Sequence, residues 1–140
     1  LSMPRRAPQY WPLLAALFAW ACAFEYIVRS RDWFLHYPWV DNFMHFGWGM
    51  VIALAIIVFW RNNARLVLTL VFTWQVLWEI SEVIGDRVLQ QPPHMQDNLW
   101  PDGAKDTAID LLGALVVLWI TRKSRRATEA PSESPGRAGI

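Results

Sequence analysis

The sequence has little cysteine and little charge. Cys22 is its only cysteine, which excludes an intramolecular disulfide and a cysteine-based zinc site. Only 18% of the 140 residues are charged, whereas 54% are hydrophobic, and this balance excludes an ordinary soluble domain of this size. The ten tryptophans favour a membrane–water boundary, where an amphipathic ring contacts both solvents. We therefore expect one all-α domain in contact with a lipid bilayer.

Motifs of the common enzyme chemistries are also missing. The chain has no nucleophile elbow for a Ser-His-Asp triad, no glycine-rich phosphate loop and no Cys-His pair. The basic residues at 122–126 follow the last apolar stretch, where such residues set membrane orientation and contact anionic lipid. Nucleic acid is therefore not an expected partner.

Four apolar segments have the length that a membrane helix needs, about 17–25 residues. They cover residues 11–28, 43–60, 66–84 and 104–120. They predict a bundle of four transmembrane helices over residues 11–121. A short tail, 1–10, precedes the bundle, and a basic, polar tail, 122–140, follows it and is expected to be disordered.

Charge is divided unequally between the two sides of this bundle. Nine of the thirteen Lys and Arg residues fall on the side of the termini, which the positive-inside rule makes cytoplasmic. Ten of the twelve carboxylates fall on the opposite, outer side. The sequence thus predicts cytoplasmic termini and an acidic outer face.

Six polar residues at helical spacing stand out within that acidic face. Residues three or four apart share one side of a helix, and a carboxylate at membrane depth costs about 2.5–3.5 kcal/mol. Three helices are therefore expected to turn metal-ligand side chains toward one point, namely Asp41, His45, Glu79, Glu82, Asp106 and Asp110. Asp97 in the loop before the last helix is a second-rank ligand. Taken singly, Asp41 and Asp106 also fit solvated helix caps.

The donor types predict a divalent cation without fixing which one. Oxygen ligands suit Mg²⁺, Ca²⁺ or Mn²⁺, and an imidazole shifts the preference toward zinc, iron or manganese. Such a site would suit metal-assisted hydrolysis or transfer on a lipid-linked or envelope substrate, with Glu82 as the general base. Without a metal, the carboxylates would share protons, as in a proton or ion transporter.

A non-catalytic role is the rival interpretation. Small tryptophan-rich membrane proteins also serve as accessory subunits of larger complexes or as homo-oligomers, with their aromatic side chains packed on neighbours. Glu25 and Arg29 are expected to pair with each other, because they lie four residues apart on one helix. They are therefore not counted among the ligands.

The order of these motifs resembles the YjdF-like family of bacterial inner-membrane proteins. The resemblance covers about residues 20–120 and is carried by Asp41-Asn-Phe-Met-His45-Phe-Gly47, Trp78-Glu79-Ile-Ser-Glu82 and Asp106-Thr-Ala-Ile-Asp110-Leu-Leu-Gly113. A more distant similarity is to the VanZ-like family, which shares the Asp-x-x-x-His-Phe helix start. The resemblance implies a multi-pass helical protein of the bacterial inner membrane with its polar residues near one face. It implies no reaction, and this chain has fewer predicted spans than the longer members.

Overall fold

A computed structural model describes residues 8–60, 63–88 and 99–129, and within these ranges the regular structure is entirely helical. A 3-10 turn at Pro8–Tyr10 leads into α1 (Trp11–Ser30), and the short α2 (Trp33–His36) follows. The long helices α3 (Trp39–Phe59), α4 (Ala64–Val88) and α5 (Leu99–Glu129) complete the fold. The predicted all-α class is confirmed.

Three of these helices are long and apolar enough to cross a membrane. The candidate spans are Trp11–Ser30, Trp39–Phe59 and Ala64–Gly85, which confirms the first three predicted segments. The predicted fourth span lies in α5, which carries Lys105, Asp106 and Asp110 and is not among these candidate spans. The fourth span therefore stays a prediction.

Helix α3 is the centre of the bundle. It packs against α1, α4 and α5, and α4 also packs against α5. Among the described residues, α1 makes no comparably close backbone approach to α4 or α5. The buried core is made mainly of β-branched and leucine side chains on α3, α4 and α5, including Leu54, Ile57, Val67, Val71 and Val117. The fold is thus a three-helix unit with α1 packed on one side.

Two glycines bring α3 and α5 into backbone contact. A Cβ atom added to Gly49 would lie 2.7 Å from the Cα of Asp110, and one added to Gly113 would lie 3.1 Å from the backbone nitrogen of Met50. Small residues permit such close helix packing in membranes. This confirms that the glycines after His45 allow another helix to approach. It also fixes the axial register of the two helices that carry His45 and Asp110.

Residues 122–129, which the sequence predicts to begin a disordered tail, are helical in the structure. Helix α5 continues through them and ends at Glu129. Arg, Lys, Ala and Glu are good helix formers, and basic residues near a helix C-terminus interact favourably with its dipole. Composition alone suggested a polar tail, but these same residue types extend a helix that is already nucleated. The remainder, 130–140, lies outside the described residues.

Candidate metal site

The polar residues lie where one end of each of three helices meets the others. Helices α3 and α5 begin at this end of the bundle, and α4 ends there. Asp41 and His45 come from α3, Glu79 from α4, and Asp106 and Asp110 from α5. The predicted site requires these three helices to be neighbours. Helices α3, α4 and α5 do pack against one another.

His45 is the centre of the cluster. Its Nδ1 lies 3.1 Å from Oδ2 of Asp110, a side chain that is almost fully buried. The same nitrogen lies 3.5 Å from Nε2 of Gln75, at the limit of hydrogen-bond distance. Since one ring nitrogen cannot both donate to Asp110 and accept from Gln75, we assign the Nδ1 proton to the shorter contact. In the neutral ring this assignment leaves the lone pair on Nε2.

Nε2 of His45 faces two carboxylates, that of Asp41 on the preceding turn of α3 and that of Asp106 on α5. It lies 3.7 Å from Oδ1 of Asp41 and 3.7 Å from Oδ2 of Asp106, both too long for hydrogen bonds. One ligand atom from each of the three side chains lies within 4.8 Å of the others. Two ligand atoms on one tetrahedral zinc ion, at about 2.0–2.2 Å each, are about 3.4 Å apart. The two distances from Nε2 are therefore close to those of a metal site, whereas the outer limit of 4.8 Å is longer.

Asp106 brings a buried and incompletely satisfied carboxylate into this group. The residue is only 5% exposed, and its Oδ1 is buried without a hydrogen-bond partner. Nζ of Lys105 lies 3.3 Å from that oxygen, so the pair is within ion-pair distance although its geometry is not that of a hydrogen bond. A buried carboxylate oxygen without a hydrogen bond is costly unless a positive charge compensates it. In this structure the ammonium of Lys105 supplies that positive charge.

Lys105 brings an ammonium group to three carboxylates at this end of the bundle. Its Nζ lies 2.6 Å from Oδ1 of Asp102, 3.3 Å from Oδ1 of Asp106 and 3.8 Å from Oδ2 of Asp41. Asp41 and Asp106 thus each direct one oxygen toward His45 and the other toward Lys105. The helical spacing of Lys105 and Asp102 was a visible signal, but the contact with Asp41 joins two helices and has no local signature in the sequence.

The two glutamates of α4 differ in their position relative to this group. Glu79 is half-buried, accepts a hydrogen bond from Nε2 of Gln75 at 2.7 Å, and lies against Gly103 of α5. It therefore contacts the cluster through Gln75. Glu82 is exposed, and in the described part of the chain it is not one of the side chains whose ligand atoms converge.

Four further residues bear on the predictions from the sequence. Asp97 falls outside the described residues. The expected pair of Glu25 and Arg29 is confirmed, with 2.9 Å between Oε1 and Nε. The side-chain oxygen of Asn42, next to Asp41, is buried without a hydrogen-bond partner, and its residue type gave no hint of this.

Comparison with known protein families places the chain among membrane proteins. Residues 4–127 match the model of the DUF2238 family, described as predicted membrane protein. The chain belongs to this family. DUF2238 is the domain of the YjdF-like proteins, so the resemblance found in the motifs is confirmed. The comparisons with curated proteins and with solved structures gave no match. The family description gives a location in the membrane and no chemical activity.

Proposed function

We propose that this DUF2238 protein binds a divalent cation between α3 and α5. The ligands are a carboxylate oxygen of Asp41, Nε2 of His45 and a carboxylate oxygen of Asp106. The observation that carries the proposal is the convergence of these three atoms within 4.8 Å of one another. Two carboxylates and an imidazole are a donor set that favours zinc, manganese or iron over magnesium and calcium.

The surroundings of His45 support this assignment. A metal-binding histidine usually donates its other ring N–H to a carboxylate, which fixes the orientation of the ring and increases its basicity. Asp110 lies at that position on Nδ1 of His45. The buried Oδ1 of Asp106 is the second support, because it has an ion pair with Lys105 but no hydrogen bond, and a divalent cation would neutralise the carboxylate more fully. Of the six ligands proposed from the sequence, Asp110 and Glu79 would then hold the site in shape.

We also propose on which side of the membrane the ligands lie. With α5 as the fourth span, both termini are cytoplasmic and the cation site lies at the outer face of a bacterial inner membrane. The asymmetry of basic and acidic residues supports this orientation. Glu82, exposed on the turn after Glu79, would face the same outer end as a general base if the bound ion takes part in hydrolysis or transfer.

Reporter fusions test the orientation. A green fluorescent protein fused after residue 129 is expected to fluoresce in bacterial cells, because it would remain in the cytoplasm. Alkaline phosphatase fused after residue 88, between α4 and α5, is expected to be active, because it would be exported. Alkaline phosphatase activity at the C-terminal fusion would show that α5 does not cross the membrane or that the bundle is inverted.

The test of cation binding is titration of the full chain in detergent with Mn²⁺ and Zn²⁺, together with elemental analysis of the purified protein. We expect one ion per chain. Stoichiometric binding that is lost in His45→Ala but kept in Glu25→Gln would support the proposal, because Glu25 lies at the same end of the bundle and outside the cluster. If no ion binds even after loading, a proton-sharing cluster or an accessory subunit becomes the better interpretation.

Asp110→Asn tests the support given to His45. The variant keeps the shape of the side chain but removes the charge that orients the imidazole, so we expect Mn²⁺ affinity to fall about 10–100-fold. Glu25→Gln removes the same charge at the same end and is expected to leave the affinity within about twofold, since exposed charges act weakly at a distance. Equal affinities for Asp110→Asn and the native protein would show that Asp110 does not orient the ring.

A further inference from the structure

Lys105 and His45 share the same two carboxylates. Asp41 directs Oδ1 toward Nε2 of His45 and Oδ2 toward Nζ of Lys105, and Asp106 directs Oδ2 toward the imidazole and Oδ1 toward the ammonium. The four side chains therefore form a closed ring in which acidic and basic groups alternate. The ammonium is attached to the chain and cannot diffuse away.

The ammonium of Lys105 and a divalent ion would compete for the same two carboxylates. One ammonium offsets one of the two carboxylates, whereas a divalent ion offsets both. A metal bound to Asp41 and Asp106 would lie close to Nζ of Lys105, and two like charges at such a distance repel each other. Tight binding of the metal therefore requires the ammonium to withdraw from both carboxylates.

The ammonium of Lys105 also has a partner outside the two proposed ligands. Its shortest contact, 2.6 Å, is with Asp102 one helical turn earlier, and the side chain of Asp102 is 64% exposed. The side chain of Lys105 is itself 41% exposed, whereas that of Asp106 is only 7% exposed. A flexible lysine side chain can therefore turn toward solvent while it keeps its contact with Asp102. Asp106 has no comparable freedom.

We propose that Lys105 is a built-in competitor for the cation site, and that Asp102 holds its ammonium when the divalent ion binds. This regulation rests on the proposed function. The affinity of the site for the ion depends on how readily the ion displaces the ammonium of Lys105 from the two carboxylates. The protein then has two forms, one with Lys105 paired to the carboxylates and one with the metal bound. In each form a positive charge compensates the buried carboxylate of Asp106.

The test is the affinity of the full chain for Mn²⁺, measured in detergent by electron paramagnetic resonance and repeated with Zn²⁺ by calorimetry. Lys105→Met keeps the length of an unbranched side chain and removes the charge, and we expect it to bind Mn²⁺ at least about tenfold more tightly than the native chain. Lys105→Gln is the second variant in case the methionine perturbs folding, and it is expected to change affinity in the same direction.

Lys123→Met is the matched control. Lys123 lies on the same helix near its other end, where its Nζ lies 5.5 Å from the ring centre of Trp119. Its loss removes the same charge, so an unchanged affinity in this variant would exclude an effect of net charge alone. Unchanged or weaker binding in both Lys105 variants, with His45→Ala still abolishing binding, would overturn the competition and leave the cation site standing. Absence of binding in the native chain and in both Lys105 variants would overturn the cation site and the competition with it.

Asp102→Asn examines the partner of Lys105 outside the two proposed ligands. We expect this variant to bind Mn²⁺ about two- to fivefold more weakly than the native chain, since the displaced ammonium loses its nearest partner. In the Lys105→Met background the same change is expected to have no effect. An equal loss in both backgrounds would show that Asp102 acts on the ion directly, and would overturn its assigned role.

Discussion

Asp106→Asn is expected to weaken Mn²⁺ and Zn²⁺ binding by more than about 100-fold, because a ligand is lost where substitution of an orienting residue costs about 10–100-fold. The carboxylate is buried beside His45, and its Oδ1 lacks a hydrogen-bond partner. An amide of the same shape fills the space and removes one of the two negative charges that the ion would neutralise. The measurement is a titration of each variant in detergent, followed by elemental analysis after dialysis.

The fold should survive this substitution. The substitution removes the ion pair with Lys105, but it also removes a buried charge and its repulsion from Asp41 and Glu79, so the tryptophan fluorescence spectrum and the thermal unfolding midpoint should stay close to those of the native chain. Glu25→Gln is again the control, since Glu25 pairs with Arg29 on the exposed side of α1. Native affinity in Asp106→Asn would remove this residue from the ligand set.

Gly49→Ala is expected to lower the free energy of unfolding by about 2–3 kcal/mol, at the upper part of the range for overpacking. The new Cβ would lie 2.7 Å from the Cα of Asp110, against backbone that cannot turn aside. The two helices would have to separate or slide. The measurement is equilibrium unfolding in mixtures of mild detergent and dodecyl sulfate, followed by the fluorescence of the tryptophans.

Gly85→Ala is the matched control for this variant. A Cβ added at Gly85 meets no atom within 4 Å, so the same chemical change is made in another helix without a clash. Alanine is favoured over glycine inside a helix by about 0.5–1 kcal/mol, and the control should be unchanged or slightly more stable. If both variants lost the same stability, the close contact of α3 and α5 would not be what the first substitution disturbs.

Local spacing was enough to predict much of this molecule. Apolar length predicted the spans in α1, α3 and α4, because about 20 apolar residues match the thickness of the hydrocarbon core. Spacing of four residues placed Asp41 with His45 and Asp106 with Asp110 on common helix faces. The glycines that follow His45 predicted a close helix neighbour, and Gly49 indeed meets the backbone of α5.

The packing of the helices determines which polar side chains reach the cluster, and the spacing of residues along one helix does not show this. Glu79 and Glu82 had equal standing in the sequence, but a helix places residues three apart about 60° from each other around its axis. Glu79 lies against α5, at Gly103, whereas Glu82 is exposed. The ammonium of Lys105 reaches Asp41 on another helix because of the same packing of α3 on α5. No periodicity within one segment carries that information.

The central position of α3 also has a consequence for the order in which the protein assembles. Helix α1 leaves the ribosome first, but the helix on which it packs follows later, and α5, which contributes Asp106 and Asp110, comes last. Until then, His45 and Asp41 have no partner helix to complete their cluster. A chain that lacks α5 would therefore leave the polar side chains of α3 exposed at a cost, and the packing of α5 completes their cluster.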